Sequence, residues 1–235
     1  MSEIYMVRHG QASFGSHNYD VLSETGITQA RILGEYLAGI GMRFDALYAW
    51  KMERQVGTAK EIVAGFRRHG IEMPDLRLHP ALSEYGTTSV LVSYVPDLVK
   101  ENPSLQYDVE RIYTDKRSFQ KVFEAVIVRW VAGKHPMPGV EPWDVFSSRV
   151  REGMREIMAE SGRGKKLLLV TSGGPIAAVL QSALSLTPEM AIRLSWQIAN
   201  TSVTRFMYND ERVTLSGFNS LAHLEMKDRK LITYR

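Results

Sequence analysis

Short apolar runs alternate with helix-length amphipathic segments along this chain. Ile4-Tyr5-Met6-Val7 contains no charged residue, and Leu167-Leu168-Leu169-Val170 repeats that pattern late in the sequence. A strand without polar alternation is covered on both faces, as in parallel sheets packed between helices. Strands are predicted at residues 4–8, 46–50, 76–79, 167–171, 202–208 and 213–218. The last two flank Asn209-Asp210-Glu211-Arg212 and read as a hairpin at the sheet edge.

Helices are predicted at residues 25–38, 53–66, 119–132, 143–161 and 175–186. In the first, Ile27, Ala30, Leu33, Gly34 and Leu37 share a face; Gly41, Gly70 and Gly162 mark stops after the earlier helices. The alternation implies an α/β fold with a mostly parallel central sheet flanked by helices. No internal repeat, low-complexity tract or linker divides the chain, so residues 1–235 read as a single α/β domain. The stretch 85–142 differs in character, with Pro96, Pro103, Pro136 and Pro138 and only short helical pieces. It is expected to form a helical cap insertion over one end of the sheet, which either sets substrate size and excludes water or is simply a structural excursion.

With 44% hydrophobic residues, the core needs neither disulfides nor metals. Cysteine is absent, which removes thiol catalysis and cysteine-ligated zinc and suits a reducing compartment. The N-terminus, Met1-Ser2-Glu3-Ile4, lacks a basic region followed by an apolar signal core. No apolar run reaches membrane-spanning length. A cytoplasmic protein without membrane contact is the expectation. The charge balance is 29 cations against 26 anions, and the cationic clusters are not interleaved with aromatics. Nucleic acid is therefore not an expected partner, and the small positive excess would help attract an anionic small molecule.

Ligands of open α/β sheets bind outside the carboxyl ends of the strands. Arg8, His9 and Gly10 end the first strand, Arg54 follows the second, Glu84 follows the third, and Ser172-Gly173-Gly174-Pro175 joins a strand to a helix. A histidine, two arginines, a carboxylate and a glycine-containing helix start suit a phosphate monoester. His9 would attack phosphorus while neutral, a state that neighbouring cations favour. A hydrogen bond fixing Nδ1 would leave Nε2 as the nucleophile. Arg8 and Arg54 would grip phosphate oxygens. Glu84 would act as general acid and then base, and the backbone near Gly173 would add positive potential. Gln11 and Ser13 either line the pocket or hold a turn; Ser172 is also a natural N-cap, with Pro175 in the first turn. His17, His69, His79, His135 and His223 show no metal-ligand spacing, so neither metal nor cofactor is expected. His223 reads as a buttress.

The ordered set of motifs resembles the histidine phosphatase superfamily, which includes phosphoglycerate mutases. The resemblance is carried by Val7-Arg8-His9-Gly10-Gln11-Ala12, Leu22-Ser23-x-x-Gly26-x-x-Gln29-Ala30 and Arg54-x-x-x-Thr58-Ala59. Leu82-Ser83-Glu84, Val170-Thr171-Ser172-Gly173-Gly174 and Ala199-Asn200-Thr201-Ser202-Val203 extend it to nearly the whole chain. It implies a phosphoglycerate mutase-like fold, phosphorylation of His9, phosphate binding by Arg8 and Arg54, and Glu84 as the acid. It also implies a departure, because family members usually carry a second histidine where this chain has Ser172. Trp50 replaces a usual small residue and is expected to narrow the pocket.

The resulting expectation is metal-independent hydrolysis of a small phosphomonoester through a phosphohistidine. One alternative is a catalytically impaired protein that binds phosphate esters. The other is a phosphoglycerate mutase, which the loss of the second histidine disfavours.

Overall fold

The structure, a computed structural model, describes residues 1–13 and 20–234. His17 lies outside the described residues. The chain opens with β1 (Ser2–Arg8), α1 (Glu24–Gly39), β2 (Ala46–Ala49), α2 (Glu53–Arg68) and β3 (Leu76–Leu78). Then come α3 (Thr87–Glu101), α4 (Gln106–Val109), α5 (Lys116–Val131) and α6 (Trp143–Ser161). The final part is β4 (Lys166–Thr171), α7 (Gly173–Leu184), α8 (Pro188–Ser195), β5 (Val203–Tyr208), β6 (Val213–Ser220) and α9 (Ala222–Glu225).

The six strands form one sheet in the order β3-β2-β4-β1-β5-β6. The first four run parallel; β5 is antiparallel to β1, and β6 to β5. The mostly parallel α/β architecture is therefore as expected, with the 213–218 strand at an edge. Alternate side chains enter opposite layers. Ile4, Met6, Leu167 and Leu169 belong to a core built with α5, α6 and α7, whereas Tyr5, Val7, Leu168 and Val170 pack with α1 and α2. That two-sided burial explains the unbroken apolar runs.

Several boundaries move for identifiable reasons. The helix expected at 119 begins at Lys116, because the Asp115 carboxylate accepts from the Arg117 and Ser118 N–H groups. The strand expected through Trp50 stops at Ala49, and the Trp50 N–H donates to Gln55 Oε1 at 3.0 Å. β3 is also shorter than expected, ending at Leu78. α8 was not anticipated, although Thr187-Pro188-Glu189 is an N-terminal signature and the Thr187 hydroxyl caps it. Between Tyr85 and Pro142 the chain is more helical than its prolines suggest. α3 accommodates Pro96, and α5 buries Val122, Val126, Ile127 and Trp130 in the core it shares with the sheet.

Candidate active site

Parallel pairing brings the site together. Arg8 pairs with Thr171 in the β1–β4 register, so His9 and Ser172 leave the sheet side by side. The His9 N–H donates to the Thr171 carbonyl at 2.8 Å. The loop from Arg8 to Gln11 is then fixed by partners distant in sequence. Arg8 O accepts from the Thr201 N–H at 2.9 Å, and His9 O from Asn200 Nδ2 at 3.0 Å. The Gly10 N–H donates to Thr58 Oγ1, the Gln11 N–H to Gln29 Oε1, and Gln11 O accepts from the Ser23 N–H, each at 2.9 Å. Every backbone polar group of a buried turn needs a partner, and here the motif residues supply them. Thr58, Gln29, Asn200 and Thr201 thus hold the loop that carries His9. A Cβ on Gly10 would lie 2.5 Å from Gly26 O, so this loop also sits directly on the start of α1.

His9 is buried, at 6% exposure, and its tautomer follows from its partners. The Arg54 Nε–H points at His9 Nε2 from 3.0 Å, and that N–H is only a donor, so Nε2 is the accepting nitrogen. The proton therefore sits on Nδ1, which donates to Gly10 O at 2.7 Å. Burial lowers the His9 pKa well below the ordinary imidazole value; Arg54 and Arg8 add to the effect, and the Gly10 hydrogen bond opposes it. His9 is neutral in the folded protein.

Arg54 begins the second turn of contacts around the ring. Its NH1 forms a close ion pair with Asp20, whose other oxygen accepts the Glu53 N–H at 2.8 Å. One carboxylate thus orients the guanidinium and satisfies the N-terminus of α2, which lacks a side-chain N-cap. Arg8 directs NH1 to the Ile198 carbonyl in a close hydrogen bond.

Glu84 projects from the segment after β3 toward the start of α7. Its carboxylate accepts from the Gly174 N–H at 3.2 Å and the Tyr85 N–H at 3.1 Å. A Cβ on residue 174 would lie 2.0 Å from Glu84 Oε1, so only glycine permits this approach. Burial raises the Glu84 pKa above the usual carboxylate value, and this outweighs the lowering by Gly174, Arg54, Tyr85 and Arg8. Both arginines thus act on both His9 and Glu84. Four residues from three separate segments share one electrostatic environment.

Ser172 takes the N-cap position of α7, but its side chain makes no capping bond. It is fully buried, and its Oγ accepts from Gln55 Nε2 at 2.9 Å. The same amide nitrogen donates to the Leu82 carbonyl at 3.0 Å, which also accepts from Thr171 Oγ1 at 2.8 Å. Gln55 thereby ties α2, the segment leading to Glu84, and the end of β4. Gly173 opens α7, whose first turn contains no acidic residue. Gln11 takes part in the turn through its Oε1, which accepts from the Ser23 hydroxyl at 2.8 Å. The Ser13 N–H likewise donates to Val21 O at 2.9 Å. Trp50 packs its ring against the larger core. His223 is buried and bonds through Nε2 to Thr201 Oγ1 at 3.0 Å, one residue from the Asn200 that holds His9.

Asp20 and Gln55 escaped the sequence reading. Asp20 stands just before the Leu22-Ser23 motif, and Gln55 directly after Arg54, so position offered a signal although residue type did not. Among the described residues, no group of three or more His, Cys, Asp or Glu side chains is arranged to hold a metal ion. Among the same residues, no helix is long and apolar enough to cross a membrane.

Fold and site together define an α/β protein with a neutral histidine, two arginines and a raised carboxyl at the carboxyl edge of a parallel sheet. The histidine phosphatase superfamily (branch 1) model matches residues 4–89 and 113–221, and the chain belongs to that family. It is 24% identical over 234 residues to the Hydrogenobacter thermophilus protein named "Putative phosphoserine phosphatase 2", covering 95% of this chain and 98% of that protein. It is 26% identical over 200 residues to a 2,3-bisphosphoglycerate-dependent phosphoglycerate mutase of a Bradyrhizobium species, covering 80% of this chain and 85% of the mutase. The crystal structure of a phosphoserine phosphatase from Entamoeba histolytica shares the fold, with a TM-score of 0.64, 18% identity, and coverage of 95% of this chain and 100% of that one.

Proposed function

We propose that this protein is a metal-independent phosphatase that hydrolyses a phosphomonoester through a phosphohistidine at His9. The observation that carries the reading is the neutral Nδ1–H tautomer of His9, with Nε2 turned to the Arg54 guanidinium. Nε2 is where a phosphorus atom would be attacked, and Arg54 is where the non-bridging oxygens would be gripped. Arg8 shares that grip. The Gly173 backbone at the start of α7 and the Gln11 amide complete the proposed cradle. On arrival of the ester, the Arg54 Nε–H passes from the ring to a phosphate oxygen, which releases the Nε2 lone pair.

An N–P bond forms as the ester P–O bond breaks, and the Glu84 proton goes to the departing oxygen. Water then attacks phosphorus, Glu84 takes its proton, and the N–P bond breaks with its electrons returning to Nε2. Burial suits Glu84 to this exchange by holding its proton more tightly than an exposed carboxyl would. Phosphoserine phosphatase and phosphoglycerate mutase relatives support phosphate-ester chemistry of this kind.

One observation favours a slower protein. Ser172, at the position where relatives are expected to carry a second histidine, is fully buried and engaged by Gln55, so it adds at most one donor to the transferring group. Loss of one preorganised donor costs about 10²–10³ in rate. A retained phosphate-ester site with impaired turnover is the second reading. A mutase is disfavoured on the same ground, since it needs the phosphoryl group held on the enzyme.

The test is trapping of the protein in alkaline detergent after mixing with a panel of ³²P-labelled phosphate esters. Base-stable, acid-labile label on the wild type, released as inorganic phosphate and absent from His9→Ala, is the expected result. Ester binding with no label and no release in the wild type would replace the phosphatase reading with the recognition one.

A further inference from the structure

An open cavity of about 650 Å³ lies between α5 and the end of α8. Its wall carries Lys116, Arg117 and Lys121 from α5 and Arg193 and Trp196 from the α8 side, with Glu124 as its one carboxylate. Lys121 is already paired with Asp108, and Glu124 is held by the Gln120 amide. Lys116, Arg117 and Arg193 are exposed and give the cavity its positive character. Exposed cations that line a concave wall concentrate anions, and Val128 and Trp196 add an apolar floor.

The end of α8 and the residues just after it connect the Trp196 wall of the cavity to the phosphate cradle. The Ser195 carbonyl is 3.8 Å from where a Cβ on Gly173 would stand. The Ile198 carbonyl accepts from Arg8 NH1. Trp196 lies between these two contacts in the chain. His9, Arg8, Arg54 and Glu84 are not among the residues that line the cavity, so a ligand confined to the cradle would leave it empty.

We infer that this cavity is a second anion subsite, and that the preferred substrate is an extended phosphomonoester with another anionic group at its far end. The ester phosphate occupies the His9 cradle, the linker lies along Trp196, and the distal anion meets Arg117, Lys116 and Arg193. This rests on the phosphatase reading and narrows its substrate class.

The test compares hexyl phosphate with the bisphosphates of 1,4-butanediol, 1,6-hexanediol and 1,8-octanediol, using wild type and the double variant Arg117→Ala/Arg193→Ala. Both substituted residues are exposed, and unchanged thermal unfolding would confirm an intact fold. The double variant is expected to lose about tenfold in kcat/KM on at least one bisphosphate, the scale of two exposed ion pairs lost together. The loss should appear in KM, shrink at high salt, and leave hexyl phosphate unaffected. Equal change on hexyl phosphate and on all three bisphosphates would overturn the subsite. Absence of hydrolysis of every ester by the wild type would instead remove the phosphatase reading. Calorimetric binding of the same four compounds then decides the subsite by itself: tighter bisphosphate binding that the double variant loses supports it, and equal binding overturns it.

Discussion

Burial and the two guanidiniums act on His9 in the same direction, whereas on Glu84 they oppose one another. His9 is driven to the neutral form by all three, while the Glu84 carboxyl keeps a raised pKa only because burial outweighs the arginines and two backbone N–H groups. A bound phosphate dianion adds like charge beside Glu84 and raises its pKa further. The proposed reaction requires neutral His9 and protonated Glu84. The acid limb of kcat/KM is therefore expected well below the ordinary imidazole value, and the alkaline limb where Glu84 gives up its proton. Glu84→Gln is expected to lower kcat on an alkyl phosphate by about 10²–10⁴. It should change p-nitrophenyl phosphate far less, because that leaving group needs no proton. Equal losses on the two esters would remove Glu84 as the acid. The residue types and strand-end positions of His9, Arg8, Arg54 and Glu84 made them legible in one dimension. Asp20 and Gln55 were not, since each matters through a partner far away in the chain: Arg54 for one, Ser172 for the other.

At the scale of elements, the site depends on how closely the Glu84 segment approaches the first turn of α7. Gly174 sets that distance, because a methyl group there would meet Glu84 Oε1 at 2.0 Å. Gly174→Ala favours helix by intrinsic propensity, about 1 kcal/mol over glycine in a helix interior. The variant is therefore expected to stay folded, with its circular dichroism and unfolding transition retained, while activity on alkyl phosphates falls toward that of Glu84→Gln. Wild-type activity in Gly174→Ala would show that the contact is dispensable. The elements themselves were read from periodicity, and the misplaced boundaries were those governed by capping. Asp115 starts α5 early and Thr187 starts a helix that apolar spacing did not reveal.

For the whole molecule, neutral buried histidines link stability to pH. His223 is held at a pKa of about 4 by burial, against about 6.5 in an unfolded chain. Between those values the unfolded chain takes up a proton at this residue and the native protein does not, so stability is full above pH 6.5 and declines as pH falls toward 4. The loss is on the order of 3 kcal/mol for this one group, with His9 acting in the same sense. His223→Gln, which keeps a polar partner for Thr201, is expected to flatten the decline of the urea midpoint between pH 6.5 and 4. A variant that loses its midpoint as steeply as wild type would separate His223 from the acid sensitivity. His223 holds Thr201, whose N–H holds the Arg8 carbonyl, so this linkage runs directly into the loop that carries His9.

Local sequence determined the alternation of strands and helices, the two-sided burial of β1 and β4, and the placing of a histidine, two arginines and a carboxylate at strand ends. These follow from side-chain periodicity and residue type, which short-range order is enough to express. Only the tertiary structure decided that His9 carries its proton on Nδ1, that Glu84 holds its own more tightly than usual, and that Gln55 occupies the Ser172 hydroxyl. Each depends on desolvation or on an ångström-scale distance between segments up to 117 residues apart. Such quantities exist only after the sheet has assembled.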